Sequence, residues 1–284
     1  MDQRIIDLYD KFTHGGVSRR EFLDRLAAIA GSSAAALALL PLLKNDYARA
    51  ETVAGNDPRL TSGTASYDAD GTRIAGYFAH GKAAGKRPSV IVVHENRGLN
   101  PHIEDIARRL ALAGFLAFAP DMLSPLGGTP ADEDKARDMI GTLKADETAH
   151  RLAAAVPFLA GHAGSNGKAG IVGFCWGGGM FNRVAVLSPE LKAGVAYYGM
   201  QPPAADVPKI KAPLMLHYAG LDERIDAGIP AYEAALKANH KKYEIFVYPN
   251  VNHAFNNDTS NRYDKAAADL AWSRTIAFLK HELG

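Results

Sequence analysis

The fold class that the sequence predicts is a three-layer α/β domain with a mostly parallel sheet. Short β-branched and aromatic runs alternate with helical patterns from about residue 60 to the end. No internal repeat and no linker after residue 60 interrupts that alternation. A chain of 284 residues is ordinary for one α/β domain and can bury a sizeable core.

Residues 1–50 stand apart. A polar segment precedes "SRREFL" at 18–23, and "DRLAAIAGSSAAALALLPLL" follows it. The twin arginine, the apolar stretch and the small-x-small triplet Ala48-Arg49-Ala50 resemble a twin-arginine export signal, which implies a periplasmic or exported protein. The alternative is an amphipathic helical arm retained on a cytoplasmic protein. Gly31, Ser32, Ser33 and Pro41 interrupt the apolar run, so no stable membrane insertion is expected. Residues 51–60 read as a linker and 61–284 as the α/β domain.

Within the domain, "TASYDADGTRIAGYFAH" reads as a hairpin around "DADG". "SVIVVHE" at 89–95 is a continuous β-branched run, as expected of a strand covered on both faces. Ile103, Ile106, Leu110 and Ala111 keep helical spacing, with Gly114 as a stop. "FLAFAPD" is the next strand, and 132–162 reads as helix with a break near Gly141. "AGIVGFC" is a strand and "GGGMFNRVAVLS" a helix; "AGVAYYG", "APLMLHYAG" and "YEIFVYPN" are three further strands. Helices are expected over roughly 230–239 and 264–282, the last presenting Trp272, Ile276 and Leu279 on one face.

A formal net charge of +1 leaves no general field to draw nucleic acid or anionic membrane. The single cysteine, Cys175, excludes an internal disulfide and a cysteine-rich metal site. "HENRGLNPH" lacks the spacing of a helical zinc motif, so no metal or cofactor is expected.

Cys175 carries the chemistry. In open α/β sheets the reactive groups gather at the carboxyl ends of strands. "GFCWG" at 173–177 fits a strand–turn–helix elbow with the nucleophile at its centre, and the flanking glycines let the turn approach neighbouring elements. The helix beginning near Trp176 directs its free N–H groups at the sulfur, which favours thiolate, and the Trp176 N–H is placed to bind an oxyanion. The alternative is a buried, inert cysteine before a glycine-rich turn.

An acid and then a histidine are needed from later strand ends, in that order. Asp222 in "GLDERI" and His253 in "NHAF" occupy those places. Asp222 is also a candidate helix cap, with Glu223 and Asp226 as competitors, and His253 a candidate loop histidine with a local hydrogen bond. His217, inside a strand, is expected to be hydrogen-bonded and structural.

Together "GFCWGG", "GLDERI", "NHAF" and "VVHENRGL" resemble the dienelactone hydrolase family of α/β-hydrolases over roughly residues 60–284. The resemblance implies an α/β-hydrolase fold and hydrolysis of an ester or lactone through an acyl-cysteine, with Cys175 as nucleophile, His253 as base and acid, and Asp222 as orienter. It also implies that Glu95 partners the resting thiol and that the Asn96 N–H is the second oxyanion donor. The other possibility for Glu95 is a helix cap or a pair with Arg97. His94 is expected as a structural neighbour of this loop.

Two arginines that hold a substrate carboxylate in the family are missing. "APDMLSPLGG" carries none, and the position four residues after His253 is Asn257; Arg262 lies nine residues after it. Dienelactone itself is therefore not the expected substrate, because losing a bidentate clamp is costly for an anion. A neutral small-molecule ester, lactone or thioester is expected, with Asn257, Met122 and Trp176 as candidate pocket residues and Arg262 as a substitute clamp. The competing class is a thiol-based sensor or small-molecule binder on the same fold.

Overall fold

The computed structural model describes residues 1–284. Eight strands form one sheet: β1 (Leu60–Ala69), β2 (Thr72–Gly81), β3 (Arg87–Val93), β4 (Leu116–Pro120), β5 (Ser165–Phe174), β6 (Ala193–Tyr197), β7 (Leu214–Ala219) and β8 (Tyr243–Tyr248). Their spatial order is β1-β2-β4-β3-β5-β6-β7-β8. β1 and β2 pair antiparallel, as do β2 and β4, and every other neighbouring pair is parallel.

The helices are α1 (Gln3–Thr13), α2 (Arg19–Ala30), α3 (Ser33–Leu43), α4 (Pro101–Leu112), α5 (Glu133–Gly141), α6 (Ala145–Ala153), α7 (Ala155–Ala160), α8 (Trp176–Leu187), α9 (Glu223–Asp226), α10 (Ile229–Ala238) and α11 (Lys265–Leu283). Parallel strands need crossovers, and the crossovers cover both faces. On one face Ile103, Ile106 and Leu110 of α4 and Phe278 and Leu279 of α11 pack on Val90, Val92 and Val172. On the other, Leu152, Val156, Phe181, Val184 and Leu236 from α6, α7, α8 and α10 pack on Ile91, Val93 and Ile171. This double burial is why β3 reads as an unbroken apolar run; Val90 to Val93 are fully buried.

Several elements differ from the sequence reading. The stretch 132–162 is three helices, with breaks after Gly141 and at Ala154. On α11 the buried face is Ala268, Ala271, Thr275, Phe278 and Leu279, while Trp272 and Ile276 flank it. The segment 51–60 is tied down: the Val53 N–H donates to Asp105 at 2.8 Å, and Val53 packs with Leu60, Ala79 and Ala111.

The polar segment before "SRREFL" is helix α1. Its apolar residues Ile5, Leu8 and Tyr9 recur at helical spacing and bury against Phe22 and Leu26 of α2 and Ala36 and Leu43 of α3. Asp2, Ser18 and Ser32 cap the three helices through side-chain acceptors. The twin arginine sits in the first turn of α2, and the chain turns at Gly31 between α2 and α3. No single helix is long and apolar enough to cross a membrane; the stretch Arg19–Ala30 and the stretch Ser33–Arg49 are bent by 110°. In this structure residues 1–50, the N-terminal arm, hold α1–α3 and lie against the loops after β3, β7 and β8, at the carboxyl ends of the strands.

Candidate active site

The β5–α8 junction places Cys175. Its backbone has φ 54° and ψ −117°, a conformation that L residues avoid. The turn persists because its surroundings allow nothing larger. A Cβ on Gly173 would be driven into the Gly177 carbonyl, and one on Gly177 into the Val93 and His94 carbonyls. The Cys175 N–H is held by the Tyr197 carbonyl at 3.0 Å. The thiol therefore projects from the end of β5 at the N-terminus of α8. Tyr198 (φ 40°) and Ala254 (φ 66°) add two more strained residues around it.

His253 follows β8 and Asp222 follows β7. The His253 Nδ1–H donates to Asp222 Oδ2 at 2.5 Å, and both groups are buried. Asp222 Oδ1 also accepts from the Ile225 N–H, so the same side chain orients the imidazole and caps α9. His253 Nε2 is buried with no hydrogen-bond partner. With Nδ1 donating to Asp222, that nitrogen is the one left to exchange a proton at the thiol. It lies within 4.8 Å of the Cys175 sulfur. Glu223 is exposed, and His253 Nδ1 is already engaged by Asp222, to which Asp226 is no competitor in geometry; burial and then the Asp222 charge push Asp226 up to about 6.

The sequence reading missed His14. It caps the C-terminus of α1, and its Nε2 lies 3.3 Å from Cys175 Sγ. Its Nδ1 faces the Asp10 carbonyl at 2.8 Å and the Asp10 carboxylate at 3.3 Å. The two imidazoles meet edge to face, with ring centroids 4.8 Å apart. The only local sequence signal was an aspartate four residues before a histidine near the chain start.

Burial opposes ionisation of the thiol, but the charges of His253 and His14 outweigh it and bring Cys175 down to about 6. Burial likewise works against both imidazolium ions. The sulfur and aspartates nonetheless hold His253 well above its ordinary value, and Cys175 and Asp10 raise His14. Asp222 is held below the carboxylate range, burial being overcome by His253.

Glu95 is buried but makes no hydrogen bond to Cys175. Its carboxylate accepts from the Tyr198 hydroxyl at 3.3 Å and from Asn257 Nδ2 at 2.7 Å. Asn257 is thereby a buried support for Glu95, and its carbonyl accepts from the Thr259 N–H and hydroxyl. Asn257, Met122 and Arg262 do not line the cavity at the thiol. Met122 is buried, its N–H donating to His94 Nε2 at 3.2 Å. Arg262 pairs with Asp10 at 3.1 Å. His94 stacks on Trp176 with rings 5.2 Å apart and nearly parallel, and burial lowers its pKa. His217 bonds Tyr248 and Thr275 inside the sheet, and burial lowers it to about 3.

A cavity of about 920 Å³ opens over the thiol. Trp176 and Asn96 lie on its wall, as do Met180, Ile140 and Leu143, and the arm supplies Phe12 and Val17. Three of its arginines face aspartates: Arg137 faces Asp134, Arg183 faces Asp146, and Arg224 faces Asp10. The reactive atoms of Cys175, His14 and His253 all lie within 4.8 Å of one another.

Residues 74–283 match the dienelactone hydrolase family, and residues 1–31 match a family described as YqhI-like. A protein of Escherichia coli O157:H7 named "Putative carboxymethylenebutenolidase" is 35% identical over 240 residues, covering 79% of this chain and 88% of the relative. A protein of the same name from Methylorubrum extorquens is 32% identical over 269 residues, covering 89% and 91%. Among solved structures, one described as a "Putative Dienelactone Hydrolase" from Klebsiella pneumoniae superposes with a TM-score of 0.72 at 31% identity, covering 78% of this chain and 98% of the other.

Proposed function

The chain belongs to the dienelactone hydrolase family, and on that premise we propose that it hydrolyses a neutral carboxylic ester or lactone through an acyl-cysteine. Cys175 is the nucleophile, His253 the acid and base, and Asp222 the group that fixes the imidazole. The observation that carries the reading is the buried His253, held at 2.5 Å by Asp222, with an unpartnered Nε2 near a thiol on a strained elbow.

The thiolate attacks the carbonyl carbon, and the new C–S bond displaces the π electrons onto oxygen. The oxyanion is received by the Trp176 N–H, free at the start of α8, and by the Asn96 N–H. Collapse expels the alcohol oxygen, which takes the Nε2 proton of the His253 imidazolium, a charge that Cys175 and Asp222 favour. Neutral His253 then withdraws a proton from water, which attacks the thioester, and collapse returns the thiolate. Asp222 stays ionised throughout and stabilises the imidazolium.

Neutral substrates are favoured because three of the four cavity arginines already face aspartates, and the fourth, Arg19, is exposed at the start of α2, so no buried pair of arginines is left to clamp a carboxylate. A panel of neutral aryl esters and lactones, with matched carboxylate-bearing analogues, tests both points. Neutral members are expected to turn over faster, and Cys175→Ala is expected to abolish turnover without loss of fold. Undiminished turnover in that variant contradicts the mechanism. A wild-type protein inert to the whole panel but readily oxidised at its thiol would favour the sensor instead.

A further inference from the structure

We propose that His14, brought in by the N-terminal arm, is the resting-state proton acceptor of Cys175, so that the arm is a resident wall of the active site. The inference rests on Cys175 being the nucleophile. It concerns how the thiol is ionised.

The geometry is that of an acid–base pair. His14 Nδ1 faces the Asp10 carbonyl at 2.8 Å, so it carries a proton, and the lone pair of Nε2 points at Sγ from 3.3 Å. Asp10 is itself anchored, by Arg262 at 3.1 Å and Arg224 at 3.8 Å. The result parallels Asp222–His253 on the opposite side of the sulfur. Glu95, the other candidate for a resting partner, is committed to Tyr198 and Asn257.

The arm is built to hold this position. Asn96 Nδ2 donates to the Thr13 carbonyl at 2.9 Å, next to His14 in the chain. Arg97 donates to the Tyr9 hydroxyl at 3.2 Å. The Asp46 N–H donates to the Thr259 carbonyl at 2.8 Å, and Asn261 donates to the Leu42 carbonyl at 2.6 Å. These contacts, with Arg224 and Arg262, reach the loops after β3, β7 and β8, the same loops that carry Asn96, Asp222 and His253.

The division of labour follows. The thiol proton passes from Sγ to His14 Nε2, leaving thiolate beside imidazolium. His253 keeps its own proton for the leaving oxygen. When the thioester is hydrolysed, the sulfur regains its negative charge opposite the same His14 imidazolium. The charged or titratable groups around this pair are His253, Asp222, Arg224, Tyr198, Glu95, Arg262 and Asp10, contributed by the strand-end loops and α1.

The test is alkylation of the full-length protein by iodoacetamide from pH 5 to 9, read by intact mass. Cys175 is the only cysteine, so one adduct reports one site. Wild type is expected to show a midpoint near 6. His14→Gln is expected to move the midpoint upward by about one unit, which is about a tenfold slower reaction at acidic pH. Asp10→Asn, which leaves the imidazole in place, is expected to move it in the same direction by less, and it carries the test if His14→Gln fails to fold. A merely structural role would expose the sulfur and raise the rate at every pH without moving the midpoint. That result, or superimposable profiles for the variant and wild type, overturns the proposal. Loss of ester turnover alone does not bear on it, because alkylation needs no substrate.

Discussion

A single residue held at φ 54° organises the site, and its neighbours show how narrow the tolerance is. Gly173→Ala would force a methyl group into the Gly177 carbonyl, so a loss of about 1–3 kcal/mol, or failure to fold, is expected in urea denaturation. An unchanged midpoint would mean that the elbow relaxes freely. Asn257→Leu should also cost about 1–3 kcal/mol, since it leaves a Glu95 oxygen buried without its donor. At this scale the sequence was informative where chemistry imposes local spacing. The glycines around Cys175 are legible because the elbow admits nothing larger, and Asp222 and His253 are legible because strand ends are readable. His14 was not: it meets the sulfur across 161 residues of chain, through a docking that no local pattern encodes. The roles suggested for Asn257, Met122 and Arg262 came from spacing after a motif. Spacing along a loop does not say which side of the loop faces the cavity.

Among the elements, the strands were legible and the helices less so. Parallel strands buried on both faces leave unbroken apolar runs, whereas 132–162 conceals two breaks because residues on either side keep helical propensity. Helix α1 was read as a polar segment because its apolar residues occupy only one stripe. That stripe is what docks the arm. Phe22 of α2 stacks on Phe12 with ring centroids 4.5 Å apart, and it is almost fully buried. Phe22→Ala should remove about 3–5 kcal/mol from this small core. Hydrogen exchange is expected to show lost protection over residues 1–43 with the β3–β7 core unchanged. Uniform loss across both parts would instead make the arm and the domain one cooperative unit.

For the molecule as a whole, the topology brings the ends of β3, β5, β7 and β8 to one edge, and the arm closes over them. That assembly sets the pH response. The Cys175 thiol is lowered to about 6, so thiolate is present above that value and is lost as pH falls through it. His253 is raised above its ordinary value, so it still holds a proton for the leaving group at neutral pH and loses it only at higher pH. The rate kcat/KM should therefore rise through about pH 6 and decline on the alkaline side. A single rise near the ordinary thiol value of about 8.5 would contradict this charge arrangement.

The most direct check is the mass of protein quenched during reaction with an activated acetate ester, using His253→Gln to slow release of the acyl group. One acetyl group on the peptide that contains Cys175 is the predicted result. Acetyl on another residue, or steady turnover in Cys175→Ala, would contradict the acyl-cysteine account.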